Sequence, residues 1–209
     1  MILVGQKAPN FNTQAIFADN TDGTYDFHKA IEGKYALLFF YPLDFTFVCP
    51  TELLAVHNRM SQFKELGVEV CGVSIDSHFT HLAWRNTAVE DGGIGQVDYT
   101  LAADMAHEIC KAYGVETVLN ADNQSKYPAG ASMRATFIID DEGIVRHMSV
   151  NDEPLGRNFD EFLRLIKGYK FFKENGRVCN AGWMDGDQGF TPGTGGNLNE
   201  FLSDNKGNL

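Results

Sequence analysis

Apolar runs and stretches of helical periodicity alternate along the chain. Residues 35–41 and 68–76 are nearly continuous apolar runs, and residues 135–150 form two more around the turn 141–143. Runs of this length, bounded by turn residues, are typical of strands. Elsewhere apolar residues recur at three- and four-residue spacing, which predicts helices after Cys49 and over residues 78–87, 104–114 and 158–176.

This order of elements predicts an α/β fold with a mixed central sheet flanked by helices. Residues 1–175 are expected to form the domain. Within it, residues 117–132 are polar and indicate an exposed loop. Residues 176–209 contain a glycine-rich stretch, so we predict an extended C-terminal arm there rather than core.

Composition and charge narrow the classes of partner. The 209 residues carry a formal net charge of -11, and 44% of them are hydrophobic. An acidic chain is a poor match for nucleic acid or an anionic membrane surface, because both attract clustered Lys and Arg. No run approaches the roughly 18 apolar residues of a membrane span, and the N-terminus lacks a signal-peptide pattern. We therefore expect a cytoplasmic protein without a nucleic-acid or membrane partner.

Two of the four cysteines lie in predicted secondary structure, where buried core residues are expected. Cys71 alternates with valines in a predicted strand, and Cys110 lies in a predicted helix near Ala106 and Tyr113. A buried free cysteine behaves as a small apolar side chain. Both are therefore interpreted as core residues.

The other two cysteines lie where chemistry is more plausible. Cys49 is at the junction between an apolar strand and a helix, just before Pro50. The unpaired amides and positive dipole end of a helix N-terminus stabilise a thiolate and make it nucleophilic. Cys179 lies in the glycine-rich arm, a suitable place for a thiol that moves to meet another sulfur. The sequence leaves open whether Cys49 and Cys179 would meet within a chain or between chains.

With these residues assembled, the sequence resembles the typical two-cysteine peroxiredoxins of the alkyl hydroperoxide reductase type. The stretch "FYPLDFTFVCPTE" matches that family's peroxidatic loop, and "VCNAGW" resembles its resolving-cysteine motif. Four further segments lie between these two and match family motifs in the same order: "GVSIDSHFTHLAW", "GGIG", "MRATFIID" and "VNDEPLGR". The resemblance runs from about residue 5 to residue 185 and implies a thioredoxin-like fold.

The resemblance implies roles for four residues around the thiol. Cys49 would be the peroxidatic nucleophile, which attacks the O–O bond as a thiolate and becomes a sulfenic acid. Thr46 would hydrogen-bond the peroxide through its hydroxyl. Arg134 would stabilise the thiolate and the charge that develops in the transition state. Pro42 would shield the pocket from water.

Further residues are implied to support the site and to regenerate it. Glu52 and Arg157 would form an ion pair behind Arg134. Cys179 from the partner subunit of a homodimer would condense with the sulfenic acid to a disulfide. A separate thioredoxin-like or flavoprotein reductant would return the disulfide to thiols.

The resemblance also implies substrates and an assembly. The substrates would be hydrogen peroxide and small organic hydroperoxides, with no metal or organic cofactor. Phe79 and Thr80 correspond to a dimer–dimer contact, which implies that homodimers assemble into a decamer. His78 and His81 have a spacing that could serve a metal, but no third ligand accompanies them, so they are interpreted as surface or interface residues.

Two other functions compete with the peroxidase. A thioredoxin-like disulfide reductase is disfavoured, because such enzymes use a resolving thiol in a C-x-x-C motif and this chain has none. A ring-forming chaperone, or holdase, and a peroxide-signalling relay belong to a different class. Either of these functions could coexist with peroxidase activity.

Overall fold

A mixed β-sheet forms the centre of the protein. The computed structural model describes residues 1–117 and 127–207, and across them seven strands pair in the order β2-β1-β5-β4-β3-β6-β7. The strands are β1 (Asn12–Ile16), β2 (Asp22–Asp26), β3 (Tyr35–Phe40), β4 (Val68–Ser74), β5 (Thr100–Ala103), β6 (Arg134–Ile139) and β7 (Val145–Asn151).

Strand β3 lies inside the sheet because its sequence can be buried on both faces. It pairs in parallel with β4 and antiparallel with β6, and all six of its residues are buried. A strand covered on both faces has a continuous apolar sequence rather than an alternating one, as this one does. The remaining pairs are parallel between β4 and β5 and antiparallel at the two edges. The predicted α/β fold with a mixed sheet is confirmed.

The helices follow the predicted order with shorter bounds in two places. They are α1 (Phe27–Ala30), α2 (Cys49–His57), α3 (Met60–Glu65), α4 (His78–Asn86), α5 (Glu108–Tyr113), α6 (Phe159–Asn175) and α7 (Leu198–Asn205), with a 3-10 turn at Val89–Asp91. The helix predicted after Cys49 is divided into α2 and α3. Gly67 follows α3 with a φ of +67°, the left-handed conformation that glycine adopts at a helix end.

The predicted helix 104–114 begins four residues late. The Asp104 carboxylate accepts hydrogen bonds from the N–H groups of Ile109 and Cys110, at 3.0 and 2.7 Å. His107, just before α5, has a φ of +59°. The chain therefore enters α5 through a turn capped by Asp104 rather than through another helical turn.

The chain divides into two compact units, Met1–Phe159 and Asp160–Leu209. This division groups nearly all of α6 with the C-terminal segment, whereas the sequence-based boundary at 175/176 grouped it with the domain. That sequence-based boundary stays a prediction. No helix in the described part of the chain is long and apolar enough to cross a membrane.

The second unit contains more order than its glycine content suggested. Trp183 is buried, and its ring lies 5.2 Å from that of Phe171 on α6. Val178 and Phe190 form a β-bridge, and the Phe190 ring lies 5.2 Å from that of Phe201 on α7. Aromatic contacts therefore hold the Cys179 segment and α7 within one folded unit.

Candidate active site

Cys49 lies at the first residue of α2, beyond the carboxyl end of β3. Its side chain is fully buried. The helix begins at Cys49 itself, so Pro50 is its second residue. The cap residue Val48 makes no side-chain hydrogen bond to the first turn. This helix start therefore leaves backbone amides close to the Cys49 sulfur.

The loop that leads into α2 is fixed by a buried polar cluster. Asp44 accepts a hydrogen bond from the Tyr41 hydroxyl at 2.8 Å and lies 2.7 Å from Nδ1 of His81. The Asp44 N–H donates to the Asp76 carboxylate at 2.9 Å. Phe45 has a φ of +51°, which is uncommon for a bulky residue and is held by these contacts. The cluster therefore fixes the approach of the chain to Cys49.

Sequence reasoning missed this cluster. His81 was interpreted as a surface or interface residue, which is wrong because its side chain is fully buried. An aspartate in an otherwise apolar turn was the available signal, since a buried carboxylate needs a partner. In residues 1–117 and 127–207, no group of three or more His, Cys, Asp or Glu side chains could hold a metal ion.

Arg134 provides the positive charge beside the thiol. It is the first residue of β6 and is fully buried. Its Nη1 lies 3.4 Å from Sγ of Cys49 and 2.8 Å from Oε2 of Glu52. Its Nε donates to the carbonyl of Glu153 at 2.5 Å. One guanidinium therefore contacts the sulfur and a carboxylate while the backbone of another segment fixes its plane.

Glu52 joins two arginines behind the sulfur. Its Oε1 accepts from the backbone N–H and Nε of Arg157, at 2.9 and 2.8 Å, and its Oε2 accepts from Arg157 Nη2 at 2.9 Å. The Arg157 guanidinium also lies 5.5 Å from the ring centre of Phe39 and 5.4 Å from that of Phe159. The predicted placement of Glu52 and Arg157 behind Arg134 is therefore the arrangement found.

The electrostatics of this cluster follow from its contacts. Burial by itself raises the pKa of Glu52, but the hydrogen bonds and charges of Arg157 and Arg134 lower it more, so it lies below the ordinary value. Burial opposes the charge on Arg134, but its hydrogen bond and charge interaction with Cys49, and then Glu52, raise its pKa above the ordinary value. Each charge in the cluster is stabilised by an opposite one.

The remaining residues of the loop line the approach to the sulfur. Pro42 is buried and Thr46 is half-buried. The Thr46 hydroxyl donates its hydrogen to the carbonyl of Leu43 at 2.8 Å. Toward the pocket, Thr46 therefore presents the lone pairs of its oxygen.

Tyr127 is a further residue of the site that the sequence did not indicate. The loop 117–132 was predicted to be exposed. Residues 118–126 lie outside the described residues. Pro128 and Ala129 are exposed, as predicted, but Ala131 and Ser132 are buried, so the prediction is wrong for those two residues. Nη2 of Arg134 donates to the Tyr127 hydroxyl at 3.5 Å. No local motif marked this tyrosine, because only the fold brings it to Arg134.

The other cysteines have clearly different surroundings. Cys71 and Cys110 are buried, as predicted, and burial raises the pKa of both thiols. Cys179 belongs to the second unit and is exposed, with Sγ 3.3 Å from the carbonyl of Gly168. Partial burial raises the pKa of Cys179, while the nearby Arg164 offsets part of that effect.

The residues predicted for the dimer–dimer contact lie on α4. Phe79 is 72% exposed. Thr80 is half-buried, and its hydroxyl lies 2.9 Å from that of Ser77 at the start of the helix. The contact itself stays a prediction.

Comparisons with known proteins identify the family of the chain. The AhpC/TSA family matches residues 4–148. The chain is 45% identical over 191 residues to peroxiredoxin-2 of Macaca fascicularis, covering 90% of each chain. It is 40% identical over 205 residues to alkyl hydroperoxide reductase C of Buchnera aphidicola, covering 97% of this chain and 98% of that one.

A solved structure extends the likeness to the whole fold. The reduced 2-Cys peroxiredoxin of Plasmodium vivax superposes with a TM-score of 0.87 at 41% identity, covering 97% of this chain and all of that one. The fold is therefore thioredoxin-like, as the resemblance implied. The chain belongs to the AhpC/TSA family and is a peroxiredoxin, a thiol-specific peroxidase of the two-cysteine type.

Proposed function

We propose that Cys49 is the peroxidatic cysteine and that Arg134 activates it. The observation that carries the proposal is the 3.4 Å contact between Arg134 Nη1 and Cys49 Sγ, at the start of α2. A guanidinium and the positive end of a helix both favour a thiolate over a thiol. The exposed thiol of Cys179 has no comparable helix N-terminus, and Cys71 and Cys110 lie in the core.

The first step forms a sulfenic acid. The Cys49 thiolate attacks the terminal oxygen of R–O–OH, so that an S–O bond forms while the O–O bond breaks. The sulfur is oxidised to S–OH, and the RO⁻ that leaves takes up a proton to give ROH. Arg134 stabilises the negative charge that moves from sulfur to the leaving oxygen. Thr46 orients the peroxide, and Pro42 limits the access of water.

The second step is resolution by Cys179 of a partner subunit. Its thiol attacks the Cys49 sulfenic acid, an S–S bond forms and water leaves. Cys49 is fully buried at the start of α2, so the first turn of that helix must open before a second sulfur can reach it. The absence of a side-chain cap at Val48 makes that turn easier to open.

The substrates are hydrogen peroxide and small organic hydroperoxides, and an external dithiol protein regenerates the thiols. Support for these assignments comes from relatives' names: one from Buchnera aphidicola is an alkyl hydroperoxide reductase, and one from Plasmodium yoelii is a thioredoxin peroxidase. A thioredoxin-like protein or a flavoprotein would supply the two electrons of each cycle.

The protein acts in the cytoplasm as a homodimer that assembles into a decamer. The 72% exposure of Phe79 on α4 supports a contact between dimers, since burying a large aromatic ring is favourable. The holdase and signalling-relay functions stay predictions.

Peroxide consumption by three proteins tests the proposal. Wild type supplied with dithiothreitol should consume hydrogen peroxide continuously, and Cys49→Ser should consume none. Cys179→Ser keeps the attacking thiol, so dimedone should trap its sulfenic acid on Cys49 after one equivalent of peroxide. Continued consumption by Cys49→Ser would place the chemistry on another thiol.

A further inference from the structure

The hydroxyl of Tyr127 lies among the polar groups that face the peroxide site. It accepts a long hydrogen bond, 3.5 Å, from Nη2 of Arg134. The side chains of Thr46 and Cys49 are close enough to influence its pKa. These are the three side chains assigned above to the peroxide, the thiolate and the developing charge. Catalytic hydrogen bonds are often long before substrate binds.

The backbone that follows Tyr127 is held in place by a turn. The Ala131 N–H donates to the carbonyl of Pro128 at 3.1 Å, and the Ala131 carbonyl accepts from the Thr117 N–H at 2.7 Å. Gly130 packs directly on the imidazole of His107, where an added Cβ would lie 2.2 Å from Nδ1. Gly130 also has a φ of +87°, a conformation that glycine adopts without strain. The placement of Tyr127 therefore rests on backbone contacts as well as on its own hydroxyl.

Among the described residues assigned to the site, the other polar groups already have partners for their hydrogens. Thr46 has a single hydroxyl hydrogen, and it is directed to the Leu43 carbonyl at 2.8 Å. Nη1 of Arg134 is shared between Glu52 and the sulfur. Tyr127 accepts from Arg134, so its own hydrogen is not used in that bond. A hydroxyl that accepts from a cation is polarised into a better donor.

We propose that Tyr127 is a further catalytic residue, whose hydroxyl donates a hydrogen bond to the oxygen that leaves when Cys49 attacks the peroxide. This inference rests on the proposed function of Cys49. As the O–O bond breaks, the leaving oxygen gains negative charge, and a donor aimed at it stabilises the transition state more than the bound peroxide. The leaving oxygen then takes a proton and departs as water or an alcohol.

The ionisation of Tyr127 is consistent with a donor. Burial, and then the negative charge of Cys49, raise its pKa above the ordinary value, while the charge of Arg134 acts the other way. The phenol therefore keeps its hydrogen at neutral pH. A phenolate could only accept.

The test compares two peroxides with different leaving groups. Hydroxide, which leaves hydrogen peroxide, is a strong base and needs stabilisation, whereas acetate, which leaves peracetic acid, is a weak base. Tyr127→Phe keeps the ring and removes the donor. The second-order rate constant for oxidation of reduced Cys49, followed by stopped-flow tryptophan fluorescence, should fall about tenfold with hydrogen peroxide and at most about twofold with peracetic acid.

Tyr169→Phe is the matched control, because Tyr169 is a half-buried tyrosine on α6 in the second unit. Its rate constants with both peroxides should equal those of wild type. An equal loss with both peroxides in Tyr127→Phe would indicate a structural role and overturn the inference, as would an unchanged rate with hydrogen peroxide. If wild type itself were not oxidised by either peroxide, the proposed function would fail first.

Discussion

Glu52→Gln should destabilise the protein far more than a surface charge change. The carboxylate accepts four hydrogen bonds, one from Arg134 and three from Arg157. The Glu52 and Arg157 side chains are only 2% exposed, and that of Arg134 is fully buried. In the variant, the glutamine side chain would turn its NH₂ group toward arginine N–H donors. The buried guanidinium groups of Arg134 and Arg157 would both lose the carboxylate that they share.

The size of the loss follows from this burial. Removing one partner of a buried ion pair costs about 3–5 kcal/mol, because the other charge stays desolvated. Gln retains one acceptor oxygen, so we expect a loss of unfolding free energy at the lower end of this range, about 3 kcal/mol. This corresponds to roughly a hundredfold change in the unfolding equilibrium constant. Arg134 would also lose its orientation, so oxidation of Cys49 by hydrogen peroxide should slow.

Urea unfolding of the reduced protein at one protein concentration measures the effect. The concentration must be fixed because subunit association shifts apparent stability. Glu69→Gln is the matched control: Glu69 pairs with Lys34 at 3.1 Å, but the two side chains are 27% and 51% exposed. A surface pair of this kind contributes less than about 1 kcal/mol. Equal losses in the two variants would refute the view that Glu52 is the buried anion on which the site depends.

Four further outcomes are expected. Thr46→Val should slow oxidation of Cys49 by about tenfold through loss of one polar contact, measured by stopped flow, whereas an unchanged rate would remove Thr46 from the mechanism. The lowered pKa of Glu52 means that its stabilisation is complete above its unfolded pKa, about 4.3, and is lost as pH falls through the folded pKa. Wild type should therefore lose stability on acidification more steeply than Glu52→Gln, as urea midpoints at several pH values would show. Iodoacetamide should label the exposed Cys179 of the native reduced protein but not Cys71, as peptide mass mapping would reveal. Gly130→Ala should lower the urea midpoint and the rate with hydrogen peroxide together, since its Cβ would meet the imidazole beneath it.

The sequence predicted those elements whose burial is continuous or regularly spaced. Strand β3 and helix α6 are examples, because a wholly apolar run and a 3.6-residue stripe each have one good structural solution. The hairpin of β1 and β2 was missed. Its strand sequences, "NTQAI" and "DGTYD", are mostly polar, and β1 is a strand because it pairs with both β2 and β5.

The residues of the site were likewise only partly predictable from the sequence. The residues from Pro42 to Glu52 are contiguous, so their motif was visible in the sequence. The positions of Arg134 and Arg157 came from the resemblance, since no spacing rule joins them to Cys49. Asp44 and His81, which are in contact, lie 37 residues apart in the sequence. Tyr127 contacts Arg134 from a loop that precedes the Arg134 strand. Tertiary contacts of this kind are decided by how strands and loops pack, which local pattern does not encode.

The central claim is that Cys49 attacks peroxide and is then resolved by Cys179 of another subunit. One equivalent of hydrogen peroxide added to the fully reduced protein, followed by a non-reducing SDS gel, tests it most directly. Wild type should give a disulfide-linked dimer band, and Cys49→Ser and Cys179→Ser should give none. A wild type that consumes the peroxide but remains monomeric on the gel would contradict resolution between subunits, and one that consumes no peroxide would contradict the attack by Cys49 itself.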